Sequence, residues 1–273
     1  MTVDAGLDFT LKVTRVAHAT VLVDFGGWAI LTDPWFSEKF GYHRGEPLGV
    51  VPGALPGLAG VVVSHDHADH NDMATCARYV DKRVPILLER RAARRAIAAG
   101  FENVTGLDTW QTVTLGPITV TAVPAKHGVP EVGYVLQGLG FTVYFGGDTL
   151  LIPALSEIAQ RFPAIDVALL PINGLCVFGK QVVMNPLEAA ELCKILQPRY
   201  AIPTHYAFTG GPIIDALFLK YFEPQDRLPR TFVDAVSEHA PETNAVVLAP
   251  GEVLAVRTSD SALVRQVPLS GGA

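Results

Sequence analysis

Apolar and polar residues alternate with a period of two over "FTLKVTRV" (residues 9–16), "TVLVDF" (20–25) and "WAILTD" (28–33), and Gly26-Gly27 is the turn chemistry of a tight hairpin between the last two. A meander of three strands is predicted. After a loop rich in Gly and Pro, "GVVVSH" (60–65) is apolar until its end, the pattern of a strand buried on both faces. The spacing turns helical over 72–80, returns to a strand at "VPILLE" (84–89), and is helical again over 90–100, where Gly100 is placed to end the helix. A second series repeats this order. It predicts strands at 110–116, 118–124, 133–138 and 141–148, a helix at 151–162, a strand at 166–172, a helix at 185–197 with Asn185 as N-cap and Pro186 at its first position, and a strand at 200–205. The tail adds a helix at 231–239 and strands at 245–256. No shift of composition and no flexible linker divides the two halves, so one domain over residues 1–273 is expected.

Composition narrows the function. An apolar content of 49% over 273 residues is ample for a large core. A net charge of -6, from 21 basic and 27 acidic residues, offers no general attraction to nucleic acid. The one basic block, Arg90, Arg91, Arg94 and Arg95, reads as the solvated face of a helix. The longest apolar run, residues 48–63, is shorter than the roughly 20 residues of a membrane span and is broken by two prolines, so no span is expected. Cys76, Cys176 and Cys193 are odd in number and far apart, which suggests neither a disulfide framework nor a CxxC site. The N-terminal "MTVDAGLDFTLKV" lacks the basic-then-apolar order of an export leader, and a cytoplasmic location is expected.

The chemistry concentrates in "VVVSHDHADHND" (61–72), which holds three of the eight histidines, His65, His67 and His70, among three aspartates. Imidazoles this close repel one another once protonated and are costly to bury without partners. On an extended backbone His65 and His67 project to one side, while Asp69 and His70 enter the following turn, so four ligand-type side chains converge from six residues. Three further candidates stand at or just past other strand-like runs: His127, Asp148 and His205. Side chains that converge on a site in an α/β fold come from loops at one edge of the sheet. His18, His43 and His239 lack that combination.

"HDHADH" is the HxHxDH signature of the metallo-β-lactamase superfamily, and His127, Asp148 and His205 resemble its later ligand motifs in order and context. The resemblance covers nearly the whole chain. It implies an α/β fold, an αββα sandwich of two mixed sheets packed face to face with helices outside and a metal site at one edge. "AHATVLVDFGGWAILTDPWF", "PAKHG", "GGDT" and "PTHY" resemble in particular the branch that includes L-ascorbate-6-phosphate lactonase and the N-acyl-phosphatidylethanolamine phospholipase D type enzymes. Carried over residue by residue, the resemblance implies two divalent ions, zinc first and manganese or iron as alternatives. His65, His67 and His127 would hold one, Asp69, His70 and His205 the other, and Asp148 would bridge them. Asp33 resembles the first acidic motif and is expected to accept a hydrogen bond from a liganding histidine, or else to serve as a turn residue before Pro34.

His18 resembles the histidine of the branch's "GHA" motif, with Ala17 in place of the Gly, and a hydrogen-bonded structural role is preferred for it. Asn173, Tyr206 and Lys126 flank the predicted site loops and are candidates for substrate contact; Asp66 is expected to point away, and Asp72 to cap the next helix. The aromatic 34–59 loop and 206–222 segment are candidates for a pocket wall, the core or a subunit contact. The expected reaction is hydrolysis of an ester, a lactone or a phosphate-bearing small metabolite by a hydroxide that the ions share, with Asp69 and Asp148 as catalytic residues. The rivals are a phosphodiesterase or nuclease on the same centre, a redox di-iron protein, against which His67 stands where oxygen-reducing members tend to carry Glu, and a non-catalytic metal-bearing module. A small-molecule substrate is expected, with room left for a homo-oligomer.

Overall fold

A computed structural model describes residues 9–258 and the backbone of a strand at 264–266. Residues 1–8, on which the expectation of no export leader partly rests, lie outside the described residues. The first half builds strands β1 (Thr10–Ala17), β2 (Thr20–Phe25), β3 (Trp28–Thr32), β4 (Leu58–Val63), β5 (Ile86–Glu89) and β6 (Val104–Leu107), with short helices α1 (Met73–Cys76) and α2 (Ala93–Ala98) in the last two crossovers. The second half builds β7 (Thr112–Leu115), β8 (Ile118–Pro124), β9 (Val132–Gly138), β10 (Phe141–Phe145), helix α3 (Ser156–Arg161), β11 (Val167–Pro171), the two-residue strands β12 (Cys176–Val177) and β13 (Lys180–Gln181), helix α4 (Pro186–Leu196) and β14 (Tyr200–Thr204). Helix α5 (Pro212–Phe218), β15 (Leu219–Lys220), helix α6 (Leu228–His239), β16 (Asn244–Ala245), β17 (Val253–Arg257) and β18 (Val264–Gln266) complete the chain.

Two mixed sheets result. One has the order β18-β17-β1-β2-β3-β4-β5-β6 and is parallel from β3 to β6; the other has the order β16-β14-β11-β10-β9-β8-β7 and is parallel from β10 to β16. A third, three-stranded sheet, β13-β12-β15, stands apart from them. The strand period of two decides which core each side chain enters. Val13, Val62 and Leu87 of the first sheet meet Val143, Leu169 and Ile202 of the second in one core between them. Their chain neighbours Val61, Val63, Ile86 and Leu88 face outward beneath Met73, Ala92 and Ala96. Ala168, Leu170 and Ala201 likewise face outward beneath α4 and α6. Because both faces are covered, the central strands are apolar throughout.

The predicted helix at 72–80 shortens to α1, followed by tighter turn bonds such as that from the Tyr79 amide to the Cys76 carbonyl. Met73 and Cys76 are fully buried while Ala77 and Val80 pack only partly against the same core, and one regular turn is what tertiary packing supports. The predicted 90–100 helix opens with a 3-10 turn and is regular only over α2. In the tail the predicted 245–256 strands divide between the sheets: β16 pairs with β14 in one and β17 with β1 in the other. Helix α4 begins as expected, with a capping box between Asn185 and Glu188 and Pro186 in its first turn.

Candidate metal centre

One edge of the sandwich gathers the chemistry. His65 to His70 follow β4, His127 follows β8, Asp148 follows β10 and His205 follows β14; Asp33 follows β3, Asn173 follows β11, and His18 sits in the turn between β1 and β2. Three of these residues hold positive φ, His18 at 55°, Asp33 at 31° and His205 at 56°. That region costs a non-glycine residue roughly 1–3 kcal/mol and persists only where the surroundings enforce it. At His18 the enforcement is visible: its amide donates to Glu46 Oε1 at 2.7 Å, and its carbonyl accepts from the His205 amide at 3.5 Å.

Asp148 Oδ2 is the hub. It lies 2.9 Å from His205 Nε2, 3.2 Å from His70 Nε2, and 3.9 Å from both His65 Nε2 and His127 Nε2. On one side His67 Nδ1 approaches His65 Nε2 at 2.9 Å and His127 Nε2 at 3.2 Å. On the other, Asp69 Oδ2 is 3.6 Å from His70 Nε2 and 4.0 Å from His205 Nε2, and His18 Nε2 is 3.3 Å from His70 Nε2 and 3.4 Å from Asp69 Oδ2. His65, His67 and His127 thus form one group of possible metal donors, and Asp69, His70, His205 and His18 a second, each within a span of 4.8 Å.

A layer of hydrogen bonds orients these rings. His70 Nδ1–H donates to Asp33 Oδ2 at 2.6 Å, and Asp33 also accepts from the Ser64 amide at 2.7 Å and the Ser64 hydroxyl at 2.6 Å. His65 Nδ1 faces Ser64 Oγ at 2.8 Å and Glu131 Oε1 at 3.1 Å, and the same Glu131 oxygen accepts from the Asp148 amide at 2.7 Å. His127 Nδ1–H donates to the Val182 carbonyl at 2.7 Å, and the Asn173 amide lies 2.8 Å from His205 Nδ1. At His65, His70 and His127 such partners hold the proton on Nδ1 and leave Nε2 as the lone pair, whereas at His205 the Asn173 NH2, whose oxygen accepts from the Leu175 amide, donates to Nδ1. Ser64 and Glu131 are the residues that sequence reasoning missed. Their one local signal was position, an acidic residue opening an apolar strand and a serine closing one.

Burial dominates the electrostatics. It lowers the His18 imidazole to about 3, with His205 adding repulsion, lowers His67 to about 4, and holds His65 and His127 below the ordinary histidine value. His70 is the exception. Burial lowers it too, but the carboxylates of Asp148, Asp69 and Asp33 outweigh that and hold it well above the ordinary value. Burial likewise acts to raise Asp69 and Asp148, yet His70 beside the first and His205 and His70 beside the second keep both below the usual carboxylate range. Asp33 and Glu131 are raised, first by burial and for Glu131 also by the Asp148 charge.

The donor set suits divalent cations. Asp69 Oδ1 and Asp148 Oδ1 are buried without a hydrogen-bond partner, a costly state for polar atoms that a cation relieves. Imidazole and carboxylate together are the ligand chemistry of zinc, manganese and iron(II).

His67, Asp69, His127, Asp148 and His205 open onto a cavity of about 580 Å³. Its walls are mainly apolar and include Tyr42, Leu175, Val182, Phe208, Ile214 and Phe218, so the 34–59 loop and the 206–222 segment both contribute to it. Two of the proposed substrate contacts fall elsewhere. The Tyr206 ring packs under the Arg15 guanidinium, 4.4 Å away, and lines a separate cavity with Glu46 and Leu248, because the chain turns sharply at His205 and sends successive side chains to opposite sides. Lys126 faces a shallow depression beside Glu89 and Asp108. Asp66 points outward to Arg95 at 2.6 Å, and Asp72 accepts from the Thr75 amide at the start of α1 while its other oxygen holds the amides of Phe36 and Ser37.

A two-sheet sandwich with outer helices and a histidine–aspartate cluster at one strand-end edge is the architecture of the metallo-β-lactamase superfamily, and the family model described as "Beta-lactamase superfamily domain" matches residues 29–206. A UPF0173 metal-dependent hydrolase of Methanopyrus kandleri is 30% identical over 256 residues, covering 89% of this chain and 98% of its own; one of Deinococcus radiodurans is 31% identical over 223 residues, covering 75% and 89%. The chain belongs to that superfamily and, within it, to the UPF0173 metal-dependent hydrolase family. It also matches a Mycobacterium tuberculosis protein at 32% over 199 residues, spanning about half (54%) of that longer chain. Among solved structures, a metallo hydrolase of Ignicoccus hospitalis superposes with a TM-score of 0.69 at 24% identity, covering 90% of this chain and 98% of its own. A metallo-β-lactamase fold protein of Bacillus subtilis superposes at 0.66 and 17%, covering 91% and 100%. Both show the shared fold.

Proposed function

We propose that this metal-dependent hydrolase is dinuclear and cleaves a small, largely apolar ester or lactone. His65, His67 and His127 would hold one ion, Asp69, His70 and His205 the other, and Asp148 would be shared. The observation that carries the reading is the convergence of four imidazole nitrogens from three strand ends within 3.9 Å of one carboxylate oxygen, Asp148 Oδ2. Divalent ions at such a centre supply Lewis acidity and bring the pKa of a coordinated water towards neutrality. The chain's own part is positional. Asp33, Ser64 and Glu131 orient the rings of His70 and His65, and the ionised Asp69, whose Oδ1 has no partner, is the group placed to accept a proton from the attacking water and pass it to the leaving group. The apolar walls exclude water from the scissile bond and favour an uncharged substrate body.

Lys180 is the one Lys or Arg among the cavity-lining residues, which argues against a phosphate-rich substrate and supports the carbonyl reading over the phosphodiesterase one. Metal analysis of the purified protein is expected to find about two ions per chain. Asp148→Ala should abolish turnover and lower metal retention. A panel of lactones, acyl esters and a chromogenic phosphodiester decides the substrate: turnover confined to the phosphodiester would reject the carbonyl reading, and a chain that binds and is activated by neither zinc nor manganese would reject the metal reading.

A further inference from the structure

One side chain outside the seven assigned above also aims a nitrogen into the centre. His18 is fully buried, and its Nε2 lies 3.3 Å from His70 Nε2 and 3.4 Å from Asp69 Oδ2, with its ring centroid 4.1 Å from that of His205. Donor atoms bound tetrahedrally to one zinc at about 2.1 Å stand about 3.4 Å apart. Those are the separations found here. His70 spends its Nδ1 proton on Asp33, so the Nε2 that an ion would take up, once its proton is displaced, faces the same point as His18 Nε2. His18 Nδ1 has no hydrogen-bond partner, so no outer acceptor fixes the tautomer of this ring, and its aim into the centre rests on the position of Nε2 alone. The backbone holds this aim at a cost, in the left-handed region and pinned through Glu46.

We infer that His18 Nε2 is a further donor to the second ion, an inference that rests on the dinuclear reading above. The two positions then differ in kind. The second is enclosed by His18, Asp69, His70 and His205 with a share of Asp148, and all of these residues are buried. The first has three histidines and the shared aspartate, and the cavity is lined from both positions, by His67 and His127 of the first and by Asp69 and His205 of the second. With the larger number of donors, the second ion is the tightly retained one. The rival is an outer role, in which His18 Nε2–H donates to Asp69 Oδ2.

Crystals of the zinc-loaded protein, with the ions located by anomalous scattering, decide between them. His18 Nε2 at about 2.1 Å from the second ion is the expected result. An occupied second position with His18 Nε2 beyond 3 Å overturns the inference alone; no ion at either position overturns the dinuclear reading with it. A solution test uses His18→Asn, since asparagine tolerates the left-handed backbone. In competition with a chromogenic chelator, the tighter zinc should weaken by more than the roughly 10- to 100-fold that loss of an outer hydrogen bond costs, while the weaker zinc stays unchanged. Both affinities unchanged, or a smaller loss, overturns it. The visible spectrum of singly cobalt-loaded protein should change on the same substitution, and an unaltered spectrum counts against the inference.

Discussion

Glu131 does for His65 what Asp33 does for His70. Each is a buried carboxylate set against the Nδ1 of an imidazole, and Ser64 links the two by donating to Asp33 and facing His65 Nδ1. Glu131 adds a second task, since the same oxygen accepts from the Asp148 amide and so ties a residue after β4 to a residue after β10. Glu131→Ala removes that shared acceptor, leaving buried donors short at a cost of about 1–3 kcal/mol each. Zinc affinity should fall by roughly 10- to 100-fold and the melting temperature with it, whereas Glu131→Gln keeps an oxygen at the same place and should stay near the parent in both. Chelator competition and a thermal melt read the difference, and an equal loss in the two variants would show that the carboxylate acts by charge instead. His65, His67, Asp69 and His70 were legible as a group because they are packed into six residues. Glu131 was not, because one acidic residue before a strand has no local mark that separates it from a solvated turn.

The elements divide by how local their determinants are. Strands β4, β5, β10, β11 and β14 were legible as apolar runs bounded by turn residues, and α4 by its capping box, since the residues responsible lie within the segment itself. The 72–80 helix was overestimated because its length depended on what it packs against. Least legible was the cover of the cavity, where β12, β13 and β15 pair in short lengths and α5 buries none of its residues fully. Helix α5 turns Ile214 and Phe218 to the cavity and leaves Ile213 and Leu217 exposed. Its anchor is Asp215, which accepts from the Thr209 hydroxyl, from the Gly210 amide at 2.8 Å and from the Tyr221 hydroxyl at 3.0 Å. At about 1 kcal/mol net per hydrogen bond, Asp215→Ala should loosen this wall and raise KM by roughly tenfold while kcat and metal content hold. Steady-state kinetics with metal analysis provides the check, and a loss of bound metal instead would place Asp215 in the support of the centre.

At the scale of the molecule, ions held between loops of both sheets should couple the centre to global stability. A ligand that binds only the native state at 1,000 times its dissociation constant adds about 4.1 kcal/mol, and at roughly 2–4 °C per kcal/mol for a chain of this size its removal lowers the melting temperature by roughly 10 °C. The size of that drop should depend on pH. His70 in the metal-free chain is held well above the ordinary histidine value, so its protonated form stabilises that fold fully below about pH 6.5 and the contribution is lost as pH rises through its folded pKa. An ion must displace that proton, so metal affinity rises over the same range and the drop on chelation widens from pH 6 to pH 8. Differential scanning calorimetry with and without chelator measures it. A drop independent of pH would mean that His70 is already neutral.

The sequence by itself determined the order of most strands of the two large sheets, the histidine and aspartate inventory, and the resemblance that names the superfamily, because periodicity, turn chemistry and motif spacing are written in consecutive residues; β6, the two-residue strands of the small sheet and α5 were not read from it. The tertiary structure decided which of those side chains meet. It set His18 beside Asp69 and His70, made Glu131 common to His65 and Asp148, sent Tyr206 away under Arg15, and roofed the cavity with a small sheet of two-residue strands. Each of those outcomes depends on contacts between residues far apart in the chain, brought together when two sheets with opposite faces to bury close over one core.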